Sequence, residues 1–159
     1  MPSSTEHFEL SGSTLEAWCK RQGYTYTGAD GQLAVQYALL GQPAPLLFMP
    51  HFDRGMVMMA MRQPFTVPAA RAAAVTQAVN SMNATSFMGA WVLNTETGEL
   101  FFRATVVALD TGYSDASLLH AARVVVGTSE LAAAGMRAIA LDGADPVKTV
   151  AAIQPARPS

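Results

Sequence analysis

The sequence predicts an α+β domain: a five-stranded antiparallel sheet with helices packed on it, in the order α-β-β-β-α-β-β-α. Three observations carry this expectation. Apolar runs at period two stand beside short turn signals, the pattern of hairpins (Leu33, Val35, Tyr37 and Leu39 after Asp30-Gly31). Alanine-rich segments place their apolar residues at helical spacing (Ala74, Val75, Ala78, Val79 and Met82). All strand links but one are short, so strands that follow one another should pair antiparallel, with the helices segregated to one face.

Taken in order, Ser13-Thr14-Leu15-Glu16 has the form of a capping box, and Leu15, Trp18 and Cys19 then share a helical face. Gly23 is a good stop, so the first helix is expected over 14–22. Asp30-Gly31 is a tight-turn pair and opens a strand over 32–40. Gly41 to Pro45 breaks it, and a second strand follows over 45–52, with a bulge or an edge expected at Pro50 because proline lacks the ladder donor. Asp53-Arg54-Gly55 reads as the turn into a third strand, Met56-Val57-Met58-Met59-Ala60-Met61. Pro64 and Pro68 bracket a connection, and Pro68 suits the first turn of a helix over 69–82. Residues 87–94 and 99–107 form a hairpin around Thr95-Glu96-Thr97-Gly98. Ser114 can cap a last long helix carrying Leu118, Leu119, Ala122, Val125 and Val126, with Gly127 a point of interruption. The expected division is a flexible N-terminus over 1–12, one domain over 13–142 and a flexible Ala/Pro-rich tail over 143–159.

Half the residues are hydrophobic and only 14% are charged, well below the quarter usual for soluble domains. Some apolar area should therefore be exposed or covered by a second subunit. The net charge of −2 and the absence of a basic run argue against direct nucleic-acid binding, which needs clustered cations. The uncharged stretch Ala72 to Thr95 is long enough to span a membrane but carries Gln77, Asn80, Ser81, Asn83, Thr85 and Ser86, so no membrane span is expected. Residues 1–12 lack the apolar stretch of a signal peptide, and a cytoplasmic location is the default.

No motif carries chemistry. Cys19 is the one cysteine and sits on an apolar helical stripe, where a small buried hydrophobe is expected. His51 and Asp53 are two ligands without a third, and His7 and His120 stand apart, so no metal site is expected. Glu96 and Glu99 flank a turn and read as solvated. No nucleophile elbow, phosphate loop or dinucleotide fingerprint occurs, so no catalytic residue and no cofactor is expected.

The second and third strands are apolar on both faces, whereas a one-sided antiparallel strand should alternate. One parity gathers Leu46, Phe48 and Phe52 with Met56 and Met58; the other gathers Leu47 and Met49 with Val57, Met59 and Met61. Helices can cover one face; a second subunit or a client must cover the other, or helices lie on both sides. Phe48, Met49, Met56, Met58, Met59 and Met61 are therefore the candidate protein-binding or dimer surface. Methionine is unbranched and polarizable, so this strand suits either a gap-filled core and dimer seam or an adaptable client surface.

Asn80-Ser81-Met82-Asn83, then Gly89-Ala90-Trp91-Val92-Leu93, then Gly98 to Ala104 with Arg103, and the capped helix from Ser114 resemble the YbjN family over residues 12–140. The resemblance implies an α+β fold similar to type III secretion chaperones. It also implies a homodimer that binds client proteins without ATP, as a sensory transduction regulator or chaperone-like protein. The asparagines Asn80 and Asn83 read as helix-end caps, since Asn tolerates left-handed geometry and can satisfy orphan carbonyls. The expected function is thus a non-enzymatic, protein-binding adaptor or regulator acting on a client protein. The alternative is a sensor holding an apolar small molecule between helices and sheet, lined by methionines, Phe48 and Trp91.

Overall fold

The computed structural model describes residues 7–8, 12–108 and 112–154. Helix α1 runs Gly12–Arg21. Its end is a Schellman motif: the Gly23 amide donates to Lys20 O at 3.0 Å and the Tyr24 amide to Cys19 O at 3.1 Å, with Gly23 at φ 74°. Strands β2 (Tyr26–Ala29) and β3 (Gln32–Val35) form a hairpin whose two turn residues, Asp30 and Gly31, both have positive φ. Asp30-Gly31 therefore joins two strands, where the sequence had suggested only the one that follows it. The expected strand over 32–40 is also divided. After Val35 the chain leaves the main sheet and makes a small separate hairpin, β4 (Ala38–Leu39) with β5 (Gln42–Pro43), turned by Leu40 and Gly41 at φ 52° and 73°.

The main sheet has six strands, not five, in the order β2-β3-β6-β7-β9-β8, every pair antiparallel. Its centre is β6 (Leu46–His51), β7 (Met56–Thr66) and β9 (Glu99–Val107). Pro50 is tolerated because β3 pairs with β6 only over Leu46 to Phe48, so Pro50 stands at a local edge. Strand β7 passes Pro64, where a connection had been expected, by way of a register shift between Arg62 and Thr66 that absorbs the missing donor. Strand β8 is Ala90–Leu93. It starts later than expected because Gly89, at φ 81°, turns tightly under β9: a Cβ there would lie 2.4 Å from Arg103 O. Two short strands, β1 (His7–Phe8) and β10 (Tyr113–Ser114), pair apart from the main sheet. Of the expected flexible N-terminus over 1–12, Gly12 opens α1, and residues 1–6 and 9–11 lie outside the described residues.

Residues 69–71 make a 3-10 turn that leads into α2 (Ala72–Asn83). Helix α3 runs Asp115–Leu141 without interruption, its Ser114 cap accepting from the Ser117 amide at 3.1 Å. Gly127 is exposed with open space around it, so it imposes no break. By length and composition α3 could cross a membrane, yet its apolar side is packed on β7 and β9. Beyond it, Pro146–Ile153 forms helix α4, although this stretch had been expected to belong to a flexible tail. The signal was present: Asp145 accepts from the Lys148 amide at 2.9 Å and Pro146 fills the first helical position. Helix α4 packs on α2 and α3, and its Ile153 closes on Gly135, where a Cβ would lie 2.6 Å from Ile153 Cδ1.

The core lies between one face of the sheet and the helices. Trp18 of α1 meets Phe48 of β6 edge-on at 5.8 Å, and Trp91 of β8 meets Phe102 of β9 at 5.4 Å. Leu118, Val125, Met136 and Ile139 of α3 are fully buried. Arg71 ties the 3-10 turn to the end of α3, donating to Ile139 O at 2.9 Å and Ala144 O at 3.1 Å, a cation placed where helix carbonyls lack partners.

Candidate interaction face

The register of the β6-β7 hairpin decides which methionines face outward. The sequence suggested a three-residue turn, Asp53-Arg54-Gly55. The loop has four residues: Phe52–Arg54 form a 3-10 turn, Gly55 follows in the left-handed region at φ 60°, and His51 pairs with Met56. One added loop residue shifts the pairing by one and exchanges the faces of one strand relative to the other. Leu46 therefore opposes Met61 and Phe48 opposes Met59, while Leu47 opposes Ala60 and Met49 opposes Met58. The two parities expected from the sequence recombine accordingly.

Phe48, Met59 and Met61 are fully buried, each at 0% exposure, on the helix-covered face with Val57, Phe102 and Trp91. Met49, Met56 and Met58 lie on the opposite face and are partly exposed. The six candidate residues thus divide into three that fill the core and three that face away from it. The space assigned to an apolar ligand between helices and sheet is filled by side chains, since Phe48, Met59, Met61 and Trp91 are at most 3% exposed.

Across the outer face the register aligns Ala34, Leu47, Ala60, Arg103 and Ala90 in one row. Met49, Met58 and Thr105 form the next, and His51, Met56 and Val107 the one at the hairpin tip. Phe101, with Arg62 on one side and Val92 on the other, bounds the face toward the β8-β9 turn. Among the described residues no helix packs on this face. At its edge Leu47, Met49, Ala60 and Phe101, together with the Arg62–Glu99 ion pair, line an open groove of about 450 Å³.

Charge on the face is sparse. Arg62 forms an ion pair with Glu99, and Thr97 Oγ1 also donates to Glu99. These hydrogen bonds, that from Arg62 foremost, hold the Glu99 carboxyl below its usual range. Arg103 is exposed, and among the described residues its guanidinium reaches only Met58 Sδ, at 3.8 Å.

The outer edge strand, β8, is closed by a side chain. Asn83 Nδ2 donates to Trp91 O at 3.0 Å, and Asn83 Oδ1 accepts from the Trp91 amide at 2.8 Å. The amide group thus stands in for the next strand and satisfies the outward peptide groups that would otherwise invite one. Asn83 is therefore not the helix cap expected from the sequence; it docks α2 to β8. Asn80 is exposed and does not share this role.

Burial shifts two titratable groups of the core. Burial, with Glu16 adding to it, pushes the Cys19 thiol up to about 11, away from the reactive thiolate. Burial, with Tyr37 next, pushes Tyr24 up to about 12. His51 and Asp53 are exposed at the hairpin tip, with Asp53 3.9 Å from Arg54, and His120 is exposed on α3. Among the described residues no group of three or more His, Cys, Asp or Glu side chains could hold a metal ion.

Three comparisons bear on this arrangement. The YbjN family model, described as "Putative bacterial sensory transduction regulator", matches residues 11–137. The crystal structure of YbjN from E. coli, described as "a putative transcription regulator", is similar at a TM-score of 0.60 and 11% identity, covering 77% of this chain and 87% of that one. At that identity the likeness speaks to the fold. No curated protein matches the chain.

Proposed function

The chain belongs to the YbjN family, a family of bacterial regulators, and on that premise we propose that it is a non-enzymatic adaptor or regulator that acts as a homodimer on client proteins through the uncovered face of its sheet. The observation that carries this reading is the outer face itself. Helices cover one side of the central strands, and the other side presents Leu47, Met49, Met56, Met58, Val92 and Phe101, each only partly buried. An apolar sheet face of this kind marks an interaction surface more often than a solvated one. Methionines give it the adaptability that a regulator of varied partners needs, because their side chains repack at little cost. The chaperone-like likeness that the family resemblance implies agrees with client binding of this kind.

The test is a paired retention experiment in the native cell. The full chain and a Met49→Ser/Met58→Ser variant are used as bait, and retained proteins are identified by mass spectrometry. The variant should fold with an unchanged melting temperature and lose the partner that the parent retains. Equal retention by both would remove the face from the function. Light scattering of the purified chain should give the mass of a dimer.

The groove beside Phe101 favours a second reading, a small apolar ligand as the signal. Its size falls within the range of small-molecule sites. A melting-temperature rise with an apolar metabolite, abolished by Leu47→Ser, would support this reading over the first.

A further inference from the structure

We infer that the partner segment carries a carboxylate between apolar side chains, and that Arg103 is its anchor. This rests on the reading of the outer sheet face as a protein-binding surface and adds the chemistry of the partner. Arg103 lies within the apolar face rather than at its rim. Its cross-strand neighbours are Ala60 on β7 and Ala90 on β8, and Phe101 and Thr105 flank it on its own strand and face. None of these carries a negative charge. The guanidinium has five donors in a fixed fork, and among the described residues it meets one thioether, a weak acceptor. The other arginine of the face, Arg62, is matched with Glu99. The face therefore presents one unmatched positive charge in apolar surroundings, and its complement is a single carboxylate flanked by apolar groups.

The flanking positions are also defined. On one side of Arg103 stand Met58 and Thr105 in the next row; on the other stand Phe101 and Arg62, which line the groove. Ala60 lines the groove and is the direct cross-strand neighbour of Arg103, so the groove ends next to the strand position that carries the guanidinium. Arginine suits this place, because its planar fork binds carboxylate in two parallel hydrogen bonds and its stem lies well on apolar surface. One cation is too few for a phosphate backbone, whose binding needs several.

The experiment selects random linear peptides displayed on phage against the full chain and, in parallel, against Arg103→Glu. Binding of individual peptides is then measured by fluorescence polarisation. The parent should enrich peptides with Asp or Glu between apolar residues, and Arg103→Glu should enrich Lys or Arg at that place. Arg103→Met, which keeps the apolar stem, should weaken the acidic peptides by about tenfold or more, with the melting temperature unchanged. Enriched peptides without an acidic residue, or with unchanged affinity for Arg103→Met, would overturn the anchor while leaving the face as a binding surface. A library that yields no binder would overturn the protein-binding reading and the anchor with it. A dimer of the parent that Arg103→Glu dissociates would assign the face to a second copy and also overturn the proposal.

Discussion

Replacing Asn83 with Ala should cost far more than a substitution at a partly exposed helix end ordinarily does. Two side-chain hydrogen bonds are lost, at 2.8 and 3.0 Å, both partly buried and both to the peptide groups of Trp91. Each such bond contributes about 1 kcal/mol net, so the expected loss is about 2 kcal/mol. For a domain of this size that lowers the melting temperature by roughly 4–8 °C. Asn80→Ala is the control: its side chain is exposed one turn earlier on α2, and its effect should stay within about 0.5 kcal/mol. Urea unfolding followed by Trp fluorescence gives both values. Native-state hydrogen exchange adds a local readout, since the Trp91 amide should lose protection in Asn83→Ala and keep it in Asn80→Ala. Equal stability of the two variants, or an unchanged Trp91 amide, would refute the view that Asn83 closes the sheet edge. A rise of Asn83→Ala in light-scattering mass with concentration would be the further sign of an opened edge.

Neighbouring methionines should separate cleanly: Met59→Ala is expected to cost about 2–5 kcal/mol in urea unfolding, as a fully buried truncation does, and Met58→Ala less than about 1 kcal/mol. Similar losses at both would contradict the register. Cys19, with its thiol pushed up to about 11 by burial, should resist alkylation at pH 8 in the native protein and react fully in denaturant; native labelling at the rate of a free thiol would contradict its placement. Gln63 Nε2 reaches Ser129 O at 3.4 Å, while Gln63 Oε1 and Ser129 Oγ lack partners among the described residues. Gln63→Met with Ser129→Ala should therefore be neutral or stabilising by about 1 kcal/mol, and a loss of more than that would show that the pair is satisfied.

Much of the fold was legible because local signals and tertiary packing agree. The 99–107 strand appeared as expected, and α3 begins at its Ser114 cap. The misses have local causes. Strand β2 was hidden because Tyr26-Thr27-Gly28-Ala29 is mostly exposed and carries no apolar alternation, so only its partner across Asp30-Gly31 gave a signal. Helix α4 was hidden by composition, since alanine and proline around Gly143 resemble a tail. The Asp145-Pro146 start was the stronger cue, and the packing of Ile153 on Gly135 fixes the helix in place. The docking role of Asn83 had no sequence signal that separates it from Asn80, because it depends on where β8 lies in space.

The outer face shows why composition alone could not assign the methionines. The sequence established that β6 and β7 are apolar on both sides, and this holds. Which residues share a side depends on whether the loop after His51 has three residues or four. Period-two strands carry no information on that count when both faces are apolar, because a one-residue slip then costs no hydrophobic match. The loop geometry supplies the missing constraint: Gly55 takes the left-handed conformation that closes the Phe52–Arg54 turn, and His51 then falls opposite Met56. From that one pairing the rest follows. Met59 and Met61 join Phe48 under the helices, and Met49, Met56 and Met58 are left on the open side, Met58 beside Arg103. The same run of methionines thus does two jobs, separated by the alternation of the strand: every second residue holds the fold, and those between form the surface proposed to meet a partner.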